Sequence, residues 1–404
     1  MDMASVNYQY NKLMPKPLRT KNLFKNINVK IDEFFGSSPP AVFVGSRLRY
    51  PNVNVGILAP TERVENAWLY DAEKYWAEQN YKIQDVVDFR SNLVNSRFMT
   101  SVKGDHKFLD ITREIGMGVK DVDVEISLKK KISLKMEFDR FHSPQGPSAP
   151  LLKARLADNV NVPKQIDRVV DDTDLKAGEG LKYLSKIFEE GKLVKLLSLG
   201  LLGIKSNRKL VPTRWSITAV DDTLGKDMIK KVKDFSFLNE NRLFFGNFLG
   251  NYYLILLIPG PFCFELFESY LPGSSWNPGK ILKTSHDYEG IFGRTKYAFN
   301  TVGGYYATRL AILEYLSSIK RQASILVLRF ETPEYWASLG VWVVRNACRK
   351  TLNTEYMEFN DKEQALEKMK EMSMSNLKIG VSGLIKESKL ISSLREQKRL
   401  FNYF

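Results

Sequence analysis

The sequence predicts an α+β protein: mixed sheets with antiparallel hairpins, packed helices and a flexible C-terminal tail. Three observations lead there. Val122, Val124, Ile126 and Leu128 alternate with Asp121, Asp123, Glu125 and Ser127, and after Lys129-Lys130-Lys131 the alternation resumes at Ile132, Leu134, Met136 and Phe138. A period of two places one set on a buried face and predicts an antiparallel hairpin. Tyr252 to Ile258 is a continuous apolar run ended by Pro259-Gly260-Pro261, as expected of a fully buried strand. Helical and strand patterns follow one another without regular alternation, which argues against a doubly wound sheet.

In chain order, Ala41 to Val44 and Val53 to Leu58 read as short strands flanking a turn that carries Arg47, Arg49 and Tyr50. Two arginines and a tyrosine on a turn suit phosphate contact and base stacking, or an ordinary solvated loop. Helical patterns follow over Glu65 to Gln79 and Ile83 to Phe98, and then comes the alternating pair of strands. Beyond the cluster Ser143-Pro144-Gln145-Gly146-Pro147-Ser148-Ala149-Pro150, Asp171-Asp172-Thr173-Asp174 opens a helix to about Glu190, with Asp174 placed to cap it. Asp171, Asp172 and Asp174 also offer oxygen ligands to a divalent metal, the one cofactor type these residues suggest. Arg214 to Ala219 reads as a strand, with Arg214, Ser216 and Thr218 on one face as a phosphate-binding row. Asp221 and Asp222 at its end would suit a metal or an attacking water; a core strand followed by a turn explains the same residues.

Phe244 to Phe248 reads as another strand, and Ser274-Ser275-Trp276 and Ser285 to Glu289 as loops. His286 beside Asp287 invites a general-base reading, but no nucleophile stands at a recognisable offset. Gly303-Gly304-Tyr305-Tyr306-Ala307 opens a long helix to Ile319, where the glycines serve either phosphate approach or close packing. Ser324 to Phe330 is a further strand, and Arg345 and Arg349 share a helix face that a DNA phosphate or a carboxylate would engage. A charged helix from Lys362 to Met372 precedes the tail. The expected organisation is a basic N-terminal segment (1–36), an N-terminal domain (37–147), a C-terminal domain (148–385) and a tail (386–404).

Composition narrows the function. The 404 residues hold 60 Lys plus Arg against 46 Asp plus Glu, a formal charge of +14, which favours nucleic acid as partner. Cys263 and Cys348 are the two cysteines and form no local pair, which fits a reducing cytoplasm and excludes a disulfide framework. No apolar run approaches the roughly 20 residues of a membrane span.

The last residues read Gln-Lys-Arg-Leu-Phe-Asn-Tyr-Phe. Gln397, Leu400, Tyr403 and Phe404 match the pattern of the box by which proteins dock on the sliding clamp PCNA, the PIP motif. Leu400, Tyr403 and Phe404 fall at i, i+3 and i+4, so one helical turn gathers them into a plug for a hydrophobic groove. With Arg208 to Asp222, Gly146 to Leu151, Asp171 to Ala177 and Gly303 to Ala307, this tail gives the chain from about Ser37 a resemblance to the archaeal Nre family of DNA repair proteins. The resemblance implies a role in the DNA damage response in an archaeal cytoplasm, with recruitment by PCNA through the tail. It supplies no reaction. Some members carry a cysteine-rich, zinc-finger-like N-terminus; here no cysteine precedes Cys263, so no zinc finger is expected. Two functions are open at this point: a DNA-binding repair factor brought to the clamp, or a metal-dependent enzyme acting on DNA or a nucleotide through some of the five aspartates with Arg214.

Overall fold

The computed structural model describes residue 27 and residues 31–46 and 50–396. Arg47, Arg49 and the tail residues Gln397, Leu400, Tyr403 and Phe404 lie outside the described residues. The described chain forms two compact units, one reaching to Leu224 and including Ala337–Trp342, the other comprising Gly225–Trp336 and the chain from Val343. The architecture is α+β.

The first unit contains β1 (Glu33–Ser38), β2 (Ala41–Val44), β3 (Asn52–Ala59), α1 (Glu73–Glu78), α2 (Ile83–Ser91), β4 (Val94–Ser101), α3 (Leu109–Met117), β5 (Val122–Leu128), β6 (Ser148–Leu156), α4 (Lys164–Asp171), α5 (Ala177–Leu184), α6 (Glu190–Ser198) and the start of α7 (Thr213–Val232). Its sheet has the order β1-β5-β6-β4-β3-β2. All neighbours are antiparallel except β4 and β6, which run parallel for the three positions Asn95↔Ser148 to Arg97↔Pro150. Alternation on β5 buries Val122, Val124, Ile126 and Leu128, as period two requires. The Pro, Gly and Ser stretch from Ser143 to Pro150 lies inside this unit, and its end opens β6.

Four local expectations are corrected here. Ile132 to Phe138 is not the second strand of a hairpin: β1 and β6 occupy both edges of β5, and this stretch keeps only the bridges Ser133↔Ser148 and Glu137↔Gln145. The helix expected over Ile83 to Phe98 stops at Ser91, where the Ser91 hydroxyl and the Asn92 side-chain Nδ2 both donate to the Asp88 carbonyl before β4 begins. Asp174 does not cap α5; Asp172 Oδ1 accepts from the Asp174 and Leu175 amides at 3.1 and 3.0 Å, an Asx turn that precedes the helix. The run from Arg214 to Ala219 is helical. Pro212 O accepts from the Trp215 and Ser216 amides at 2.8 and 3.0 Å, and buried Ser216, Val220, Asp221 and Leu224 recur at helical spacing.

The second unit contains the remainder of α7, β7 (Asn241–Phe248), β8 (Asn251–Pro259), β9 (Cys263–Tyr270), β10 (Lys283–Glu289), α8 (Val302–Ile319), β11 (Ala323–Glu331), most of α9 (Val341–Leu352), β12 (Met357–Phe359), α10 (Lys362–Leu377), α11 (Ser382–Glu387) and α12 (Lys389–Glu396). The sheet order is β10-β9-β11-β8-β7-β12, antiparallel except for β9 beside β11. One face packs Leu254, Leu256, Phe267 and Leu328 against Leu366, Met369, Ile385 and Leu390 of α10 to α12. On the other, Phe264 meets Tyr305 of α8 edge-on at 5.0 Å, and the Tyr253 hydroxyl lies 3.2 Å from Thr308 Oγ1. Cover on both faces is why β8 reads as an unbroken apolar run. Ser285 to Glu289 is part of β10 rather than a loop; its polar alternation reflects an edge strand.

Candidate nucleic-acid interface

The short pairing of β4 with β6 adjoins a concavity in the first unit. Beyond Arg97 and Pro150 the two strands part: β4 continues with β3 alone, while from Leu151 β6 pairs with β5. The β5–β6 register shifts at Ser127/Leu128, at the end of β5, and the Lys129 amide donates to Pro150 O at 2.8 Å. Lys129, Lys130 and Lys131 are thereby set on the lip of the gap, all three exposed. The resulting cleft encloses about 800 Å³ and is lined by Arg97, Lys107 and the three lysines over an apolar interior that includes Phe98, Phe108 and Leu151. No Asp or Glu is among its lining residues.

Inside, the His106 ring stacks on Phe98 at 4.4 Å with 22° between planes, and Phe108 closes the group at 5.6 Å from Phe98. Lys107 Nζ stands 5.0 Å over the Phe108 ring. Burial pushes the His106 imidazole below its ordinary pKa, and Lys107 and Lys129 push it further, so the ring is neutral near pH 7. Arg97 lies along the wall, its guanidinium donating to Ser148 Oγ and 3.9 Å from Glu137 Oε1. Gly56, opposite Arg97 on β3, makes room: a Cβ there would stand 1.7 Å from Asn95 Oδ1. The arrangement can take a polyanion, with cations at the rim and rings within.

The residues singled out from the sequence lie elsewhere. Arg214, on α7, places its guanidinium 4.5 Å over the Phe141 ring. On that helix Thr218, Asp221 and Asp222 follow at i+4, i+7 and i+8, so they share Arg214's side while Ser216 turns away. Asp221 is fully buried and Asp222 half-buried. Asp171, the last residue of α4, and Asp172 and Asp174, between α4 and α5, are exposed. Among the described residues no three His, Cys, Asp or Glu side chains are grouped to hold a metal ion. Arg345 is buried, and Arg349 is held bidentately by Glu314 at 2.7 and 2.8 Å, so the partner found for that arginine is a carboxylate.

Asp287 is a capping group: Oδ2 accepts from the Asn300 and Thr301 amides and the Thr301 hydroxyl at 2.9–3.0 Å, and Oδ1 from Arg294 at 2.6 Å. It occupies the start of α8 where a phosphate was one reading of the glycines. Gly304 serves packing, since a Cβ there would stand 2.1 Å from Glu268 Oε1. Glu268 is itself buried and paired with Arg329 at 2.5 Å. The lysine lip had a visible signal in the triplet at Lys129, but its aromatic floor comes from residues apart in sequence that only the parted strands assemble.

Comparison with known families places the whole chain. The family described as "Archaeal Nre, N-terminal" matches residues 11–277, and "Archaeal Nre, C-terminal" matches residues 289–403. The chain is 38% identical over 336 residues to a DNA repair protein NreA of Haloferax volcanii, covering 81% of this chain and 80% of the relative. It is 38% identical over 339 residues to DNA repair protein NreB of Archaeoglobus fulgidus, covering 83% and 84%, and 38% over 355 residues to NreA of the same organism, covering 87% and 88%. No solved structure matches.

Proposed function

From the premise that this chain belongs to the archaeal Nre family, matched over residues 11–277 and 289–403, we propose that it is a DNA repair factor of the archaeal cytoplasm. It binds DNA through the lysine-rimmed cleft of the first unit and is recruited to the sliding clamp PCNA through Gln397, Leu400, Tyr403 and Phe404. The observation that carries the DNA contact is the cleft: Lys107, Lys129, Lys130, Lys131 and Arg97 converge on one concavity with no carboxylate in its lining. Cations so placed release condensed counterions when they meet phosphates, which makes affinity fall steeply with salt. The clamp contact rests on the spacing of the tail residues alone. Among the described residues no helix is long and apolar enough to cross a membrane.

The test is a salt titration of DNA binding by fluorescence anisotropy with the full-length chain. Replacing Lys129, Lys130 and Lys131 together by alanine is expected to weaken binding at all sequences and to lower the slope of log K against log salt by roughly 2–3. The three side chains are exposed, so the fold should persist. An unchanged slope would remove the cleft from the DNA contact.

A further inference from the structure

We propose that the cleft takes a single strand of DNA rather than a duplex, an inference that rests on the DNA-binding reading above and narrows it. Three observations bear on the choice. No helix contributes to the lining: it comes from β3, β4, β6 and the loops at His106–Phe108 and Lys129–Ser133. Duplex readers insert a helix or a two-stranded ribbon into a groove about 12 Å wide, so they need a projecting element, whereas this site is recessed. A gap opened between two parted strands admits a thin chain into its apolar interior, whereas paired bases would meet only the lysines of its lip.

The second observation is chemical. Met99 is 64% exposed and Leu152 43% exposed, on the two strands that part, and both line the cleft along with the three lysines. Bare apolar side chains ringed by ammonium groups match a ligand with charged backbone and uncovered flat faces, which an unpaired strand offers and a stacked duplex hides. The Phe98, His106 and Phe108 rings also contribute to the lining. Third, the cations are mainly lysines, compact charges suited to backbone phosphates; the one arginine, Arg97, is already engaged with Ser148 and Glu137. Little base-edge reading is available, so preference among sequences should be slight.

The experiment measures anisotropy of labelled oligo(dT) and of a blunt duplex of equal length with the full-length protein, with its Lys129, Lys130 and Lys131 to alanine variant, and with a Met99→Ala, Leu152→Ala variant. The expected result is that oligo(dT) binds at least roughly tenfold more tightly than duplex, about the contribution of one stacked base. The lysine variant should lose both ligands, and the apolar variant should lose single-strand affinity while its duplex affinity stays put. Equal or tighter duplex binding that still depends on the lysines would overturn this inference and leave the cleft as the DNA site. Affinities for both ligands that ignore the lysines would overturn the DNA-binding reading itself. Both variants change exposed side chains, and circular dichroism of each confirms that the comparison is between folded proteins.

Discussion

Lys192, on α6, carries its ammonium into the first unit, where Nζ donates to Gly116 O at 3.1 Å and to Gly118 O at the C-terminal end of α3. Burial, and then Lys195 nearby, push its pKa from 10.5 down to about 7. Between those values the unfolded chain holds the proton and the folded chain releases it, so this group makes stability rise as pH climbs from about 7 towards 10.5. Below pH 7 both states are protonated and its contribution is flat. Urea unfolding of wild type and Lys192→Met across pH 6 to 9.5 should show wild type gaining on the variant, by at most about 1.4 kcal/mol per pH unit. A constant difference between the two would show that the ammonium stays charged in place. At the same scale, Gly304→Ala should destabilise the second unit by about 1–3 kcal/mol, because the added methyl meets Glu268 where that carboxylate is paired with Arg329. The denaturation midpoint reads this directly; a variant as stable as wild type would mean that α8 shifts freely.

Among the elements, α12 has its beginning held from the sheet. Glu265, buried on β9, accepts from the Lys389 and Leu390 amides at 3.0 Å each and from the Ser388 hydroxyl. A carboxylate on orphan helix donors is favoured by both hydrogen bonding and the helix dipole. Glu265→Ala should cost about 1–3 kcal/mol and speed amide exchange over residues 389–396 more than over β9. Uniform exchange across both would deny the cap its local role. This contact was not legible in the sequence, since residues 265 and 388 lie far apart and neither carries a local signal. What was legible had period or length: β5, β8, β11, α8 and α10 each announced themselves. Arg214 to Ala219 misled because Trp215, Ile217 and Thr218 favour strands locally, while Pro212 and the buried spacing through Leu224 demand a helix. The lysines of the cleft were visible as a triplet but read as a turn between hairpin strands. Their meaning depends on where β4 leaves β6, which no local pattern encodes.

At the scale of the molecule, the proposed DNA contact lies in the first unit and the proposed clamp contact at the chain end that follows α12, on separate parts of the chain. A tail of three apolar anchors binds with an affinity of order micromolar once its ordering cost is counted, and a small basic cleft is weak at physiological salt. Each alone is a loose hold. Joined on one chain, the second contact forms at high effective concentration, and occupancy on clamp-loaded DNA can exceed either affinity by about a hundredfold or more. The expectation is therefore specific: Leu400→Ala with Phe404→Ala abolishes binding to free clamp and leaves binding to free DNA unchanged, the lysine variant does the reverse, and either one alone collapses retention on clamp-loaded DNA. Surface plasmon resonance on immobilised primer-template DNA, with and without loaded clamp, separates these terms. Retention that falls only by the sum of two independent weak sites would show that the two contacts are not made together, and would confine the tail to delivery rather than to holding the protein on its substrate.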